Sequence, residues 1–308
     1  MNRREFLAAA AAAPSVLRSG QRALLALVTA DTESAVVVVD PFAGRIVRRV
    51  ATRPDPRSIE RVGETAVVAH TAVGEVTLLR GFAVRHVLRG FGEPRYTAAS
   101  PGGRYAYVTD SGRADLAVVD VVRARVVARL HLGGWPRHIS IDAAGRTLWV
   151  ALGTAARDLA VVDVTRPLHP RRVGTIHPAF RLHDVGLVPG TRHAWITSGD
   201  RDVVAIHDAR TGHVLRTLRS GSPPQHVAFD PGRAYVTSGD DGTLRVHALD
   251  GQLLRVTPVP VGSYNVQRGP GRVLTPSLAR GTLCVLDEAG DVMRRVKVAS
   301  SSHDACFT

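Results

Sequence analysis

Only two cysteines, Cys284 and Cys306, occur in 308 residues, too few for a scaffold held together by disulfides. They fall in different strands of adjacent repeat units, a spacing that allows a bridge without requiring one. Aromatic residues make up 5% of the chain and do not alternate with the basic ones, so the stacking groove of a single-strand nucleic-acid binder is missing. Lysine is scarcer still. Lys297 is the only one among 40 basic residues, and the net charge of +13 rests on arginines scattered through the chain without a run of five like charges. Such a balance attracts anions, yet it argues against nucleic acid as the partner and leaves only sequence-independent contact. No apolar run approaches the roughly 20 residues of a spanning helix. The G-x-S-x-G elbow and the phosphate-cradling glycine loop are also absent, and neither cysteine has a convincing histidine partner in sequence.

What the chain does contain is one unit repeated seven times, with a period of about 41 residues. The clearest copies open on residues 106–109 (AYVT), 194–197 (AWIT) and 234–237 (AYVT), followed by a second apolar strand ending in Asp, as in 36–40, 116–120 and 159–163. Arg80 replaces that Asp in the second unit. The Asp is read as turn chemistry, its carboxylate accepting backbone N–H bonds ahead of glycines such as Gly44 and Gly212. Four short strands per unit at this period predict an all-β, seven-bladed propeller of four-stranded antiparallel blades. The near-continuous apolar runs fit strands buried on both faces. The chain starts at the second strand of a blade and ends with a first strand, so the C-terminal segment is expected to close the ring. Residues 22–308 then form one domain, expected to be monomeric.

These AYVT and VVD strands, with the P-x-H-x-x-x-x-P-G step at 224–232, resemble the YVTN-repeat group of seven-bladed propellers over essentially all of the chain after residue 22. Pro136-Arg137-His138 resembles a step of the lactonase relatives in that group. That likeness implies His138 as base or metal ligand and Arg137 as stabiliser of developing negative charge. The lactonase pattern carries a Glu after the second-strand YV motif, whereas this chain reads Trp149-Val150-Ala151-Leu152. Asn2-Arg3-Arg4-Glu5-Phe6-Leu7 and the alanines after it resemble a twin-arginine export signal, so residues 1–21 are read as signal and linker and the mature protein as periplasmic or extracellular.

Laid over one another, the repeats open their innermost strands on Ser58, Tyr96, His138, His183, His226, Asn265 and His303. Equivalent positions in a closed ring share one height around the channel, so these side chains are expected to form a collar. His138, His183, His226 and His303 are the candidate metal ligands, for zinc, copper or iron or against a haem. Asp184 and Asp304 are candidate partners of the ligating rings. Arg57, Arg95 and Arg137, each one residue ahead of a collar position, would suit a carboxylate or phosphate. A purely structural collar, a site for a small anion or protein partner, and a metal centre all satisfy this pattern. The primary expectation is a binding or interaction module on the collar face, with a metal- or haem-dependent enzyme or a lactonase-like hydrolase as the alternatives.

Overall fold

Valine and alanine runs dominate the middle strands, and these are the strands that lose contact with water. The computed structural model describes residues 24–153 and 158–308, in which seven four-stranded antiparallel sheets form the blades of a propeller. Ala35–Asp40 and Asp115–Asp120 are buried along nearly their whole length, because each sheet packs a neighbour on both faces. Outer strands such as Arg45–Ala51 and Leu253–Pro258 are mostly exposed. One second-strand position holds Tyr107, Trp149, Trp195 and Tyr235 in four blades, each at most 1% exposed. Truncating one of these to alanine would cost about 3–5 kcal/mol, on the scale of other buried aromatics.

The aspartates that end the third strand of a blade cap turns as the sequence predicts. Asp40 Oδ1 accepts the Phe42 and Ala43 N–H groups at 3.0 and 2.9 Å, and Asp208 Oδ1 accepts those of Arg210 and Thr211 at 2.9 Å each. Gly44 and Gly212 follow at φ +71° and +75°, a region that L-residues with a Cβ avoid. In the second blade Arg80 instead donates to Thr65 Oγ1 at 3.0 Å.

Ring closure runs through Ala305–Phe307, which pairs antiparallel with Ala26–Ala30 in the register Ala26↔Phe307, Leu27↔Cys306 and Val28↔Ala305. A strand near the C-terminus thus completes the sheet formed by the first three strands, and the edge of Ala26–Ala30 is covered. Cys284 and Cys306 are buried free thiols, so the two do not bridge. The arginine-pair segment lies outside the described residues, and no described helix is long and apolar enough to cross a membrane.

Candidate functional site

The collar rests on a hydroxyl relay from the second strands. In the sixth blade the His226 N–H donates to Thr237 Oγ1 at 3.3 Å, and that hydroxyl donates in turn to the Tyr264 carbonyl of the next blade. Tyr96 N bonds Thr109 Oγ1 at 3.1 Å, and Thr109 reaches the Arg137 carbonyl at 2.6 Å. Thr197 does the same for Asp184 N at 2.9 Å and the Gln225 carbonyl at 2.6 Å. The threonine that ends the AYVT and AWIT motifs is therefore the joint between blades. The sequence carried that signal, but periodicity alone did not assign it a role.

The relay also fixes which residue occupies each collar position. The pairs Ile59↔Val68, Thr97↔Val108, Ile139↔Val150, Val185↔Ile196, Val227↔Val236 and Ala305↔Val28 are equivalent, and each collar residue immediately precedes the first member. Gln267↔Leu274 matches Ala228↔Tyr235 and places Asn265. The collar in register is Ser58, Tyr96, His138, Asp184, His226, Asn265 and Asp304. His183 and His303 lie one residue upstream, which corrects the placement expected from residue type. In the fifth blade a bulge between Leu182 and Val185 sets both His183 and Asp184 opposite Thr197. In the first blade, Thr29 Oγ1 receives the N–H groups of both His303 and Asp304, at 3.3 and 3.0 Å.

Four rings nevertheless converge across the channel. Tyr96 stacks on His138 at 4.1 Å between centroids, and His138 lies 4.6 Å from His183 and 4.4 Å from His226. Nitrogens of His138, His183 and His226 all fall within 4.8 Å of one another. His303 stands outside this set, its Nδ1 bonded to the Arg57 carbonyl at 2.7 Å and its ring 6.2 Å from Tyr96. The expected four-histidine group is thus three. His138 is 1% exposed, and neither of its ring nitrogens makes a well-formed hydrogen bond; the His183 backbone acts on the ring at close range, without hydrogen-bond geometry. Other buried histidines differ, since His207 and His247 each place Nδ1 on a turn carbonyl, Gly212 at 2.8 Å and Gly251 at 3.3 Å.

Burial pushes His138 and His183 well below the usual imidazole range, and the cationic forms of neighbouring rings and Arg137 add to the effect. Both rings are neutral near pH 7 and offer lone pairs. Asp184 Oδ2 lies 3.3 Å from His226 Nδ1 and also accepts the Val227 N–H at 3.1 Å, while Oδ1 accepts the Val185 N–H at 2.7 Å. The carboxylate thus stands on the Nδ1 side of the His226 ring, the place a partner of a ligating imidazole would occupy. Asp304 is its counterpart, accepting from Ile59 N at 3.0 Å and Ala305 N at 2.8 Å.

The collar itself lines a cavity of ≈ 610 Å³ that continues along the inner strands past Glu60 and Gln267. Glu60 was not among the sequence candidates. Burial and the nearby Asp304 carboxylate raise it to about 8, and burial raises Asp304 to about 7. Of the predicted arginines, Arg57 pairs with Asp31 at 3.4 Å and Arg95 with Glu93 at 2.8 Å, whereas Arg137 has no ion pair among the described residues. Asn265 is spent internally, donating from Nδ2 to the His303 carbonyl at 2.9 Å. Ser58 is 2% exposed and its hydroxyl has no partner.

No protein-family model matches the chain, and no curated protein matches it. Solved structures do. A functionally unknown protein from Desulfotomaculum acetoxidans is similar at a TM-score of 0.79 and 11% identity, covering 92% of this chain and 98% of that one. Hydrazine synthase of Kuenenia stuttgartiensis matches at 0.74 and 18%, covering 86% and 92%. Dihydro-heme d1 dehydrogenase NirN, solved in complex with DHE, matches at 0.63 and 16%, covering 92% and 66%. At these identities the likeness is one of fold, and the chain stands as a seven-bladed β-propeller.

Proposed function

We propose that this chain is an exported, YVTN-type propeller that binds a divalent transition ion through His138, His183 and His226. The observation that carries the reading is His138, a fully enclosed imidazole whose two nitrogens make no well-formed hydrogen bond, beside two further imidazoles. Burying polar atoms unpaired is costly, and a ring kept only to pin an inner strand would be expected to find partners, as His207 and His247 do at Nδ1. Three imidazole nitrogens with Asp184 beside one ring suit zinc, copper or iron(II). A tetrahedral zinc site spaces its nitrogens by about 3.3 Å, so loading draws the rings inward from the present separation. Ring centroids of 4.1 to 4.6 Å around His138 leave no slot for a flat macrocycle, which favours an ion over haem. The buried stretch Trp149-Val150-Ala151-Leu152, which has no carboxylate where the lactonase pattern carries one, weighs against ester hydrolysis. The arginine pair at Arg3 and Arg4 supports export.

Elemental analysis of protein purified after native export, then dialysed, tests this. One zinc, copper or iron per chain is expected, and none in the variant carrying His138→Ala and His226→Ala. Equal metal in both, or a parent that takes up no added Zn2+ or Cu2+, would overturn it.

A further inference from the structure

Resting on that metal reading, we infer that the site takes its ion together with an oxyanion, a carboxylate or phosphate group held by Arg137 against the ion. The argument begins from charge. Imidazole ligands carry no negative charge to offset a divalent cation, and Arg137 adds another positive charge one residue from His138. The two other guanidinium groups set one residue ahead of a collar position each have a carboxylate, Arg57 through Asp31 and Arg95 through Glu93. Arg137 has none among the described residues, and its Nε is buried without a partner. A half-buried cation that has the Tyr96 hydroxyl beside it but no carboxylate is costly, and a second cation nearby makes the cost larger. An anion reaching both resolves the conflict.

The setting fixes the direction. The Arg137 and Arg95 guanidinium carbons lie 5.1 and 4.7 Å from the centroid of the Trp135 ring, so both heads pack on one indole. Arg95 Nε is also buried and unpartnered. The Tyr96 hydroxyl faces Arg137 while the Tyr96 ring stacks on His138, so guanidinium, phenol and imidazole share one small volume. Donors outnumber acceptors there. Two oxygens of a carboxylate or phosphate accept from the guanidinium fork, and the same group offers an oxygen to the open coordination position.

Cobalt(II) is the probe, because its visible bands report coordination directly. The full-length protein is titrated with Co2+ in a non-coordinating buffer, then with acetate or inorganic phosphate added in separate arms. Either anion is expected to change the Co2+ bands and tighten Co2+ binding by about tenfold or more, and the arm with the larger effect identifies the oxyanion class. Arg137→Gln should bind Co2+ with no response to anion, and Arg137→Lys should respond weakly. Co2+ uptake indifferent to both anions, or an Arg137→Gln variant that responds like the parent, overturns the inference and leaves the metal site standing. Failure to take up Co2+ in every buffer overturns both. Unchanged circular dichroism of the variants separates a lost anion site from a lost fold.

Discussion

Replacing His138 with leucine should make the metal-free protein more stable, an unusual direction for a change in a buried residue. The imidazole hides two polar nitrogens without a well-formed hydrogen bond, and each unsatisfied buried group costs about 1–3 kcal/mol. Leucine removes both penalties and returns about 1 kcal/mol of misfit for the change of shape. A net gain of about 2 kcal/mol follows. The unfolding entropy of a chain of this size is about 0.6 kcal/mol per degree, so the melting temperature should rise by about 3 °C in chelator. Zinc at a hundredfold excess over its dissociation constant should then stabilise the parent by about 2.7 kcal/mol and the leucine variant not at all, inverting their order. Thermal unfolding followed by circular dichroism, with and without Zn2+, reads all four values. A leucine variant that melts below the parent in chelator would mean that the ring is held by its surroundings, and the reasoning from orphaned nitrogens fails.

Two further outcomes are expected. Glu60→Gln should flatten the pH dependence of stability. The folded Glu60 keeps its proton up to about 8 while the unfolded side chain loses it near 4.5, so the parent is progressively destabilised as pH rises through that window and the penalty is complete above it. The variant should therefore gain on the parent between these limits, by several kcal/mol with about 5 as the ceiling, and denaturant melts at pH 5 and pH 9 with equal differences would refute this. Deleting residues 302–308 should expose the Ala26–Ala30 edge and uncover the faces that Ala305, Cys306 and Phe307 bury, giving soluble aggregates on size exclusion. A monodisperse truncated protein with a native melt would show that closure is dispensable.

The fold was legible because a period is hard to disguise. Strands such as 116–120 and 159–163 repeat in type and spacing, and nothing but a ring of blades uses that pattern seven times. The collar was legible in composition and misplaced in register. His183 and His303 look like His138 and His226 in sequence, but the bulge opposite Thr197 and the double acceptance by Thr29 give their positions to Asp184 and Asp304. A one-residue shift of this kind leaves no trace in hydropathy, since both neighbours are polar. Which three rings converge depends on how far side chains reach across the channel, and Glu60 became visible only once its strand was seen to face that space. Neither is encoded in spacing along the chain.

The hydroxyl relay has gaps, and one of them falls at the triad. Thr109, Thr197 and Thr237 stitch their blades to the next, but the equivalent residue in the fourth blade is Ala151. Where a hydroxyl would have received the His138 N–H and reached the His183 carbonyl, there is a methyl group. The two histidines that must approach each other to grip an ion thus flank a seam that lacks the threonine and is fastened instead further along the inner strands, where the Leu187 N–H donates to Ser140 Oγ at 2.9 Å. Ala69 and Pro276 leave the same gap in the second and seventh blades, so a seam without the threonine is tolerated in this ring, and at the triad the rings can close on an ion without breaking a relay bond at that joint.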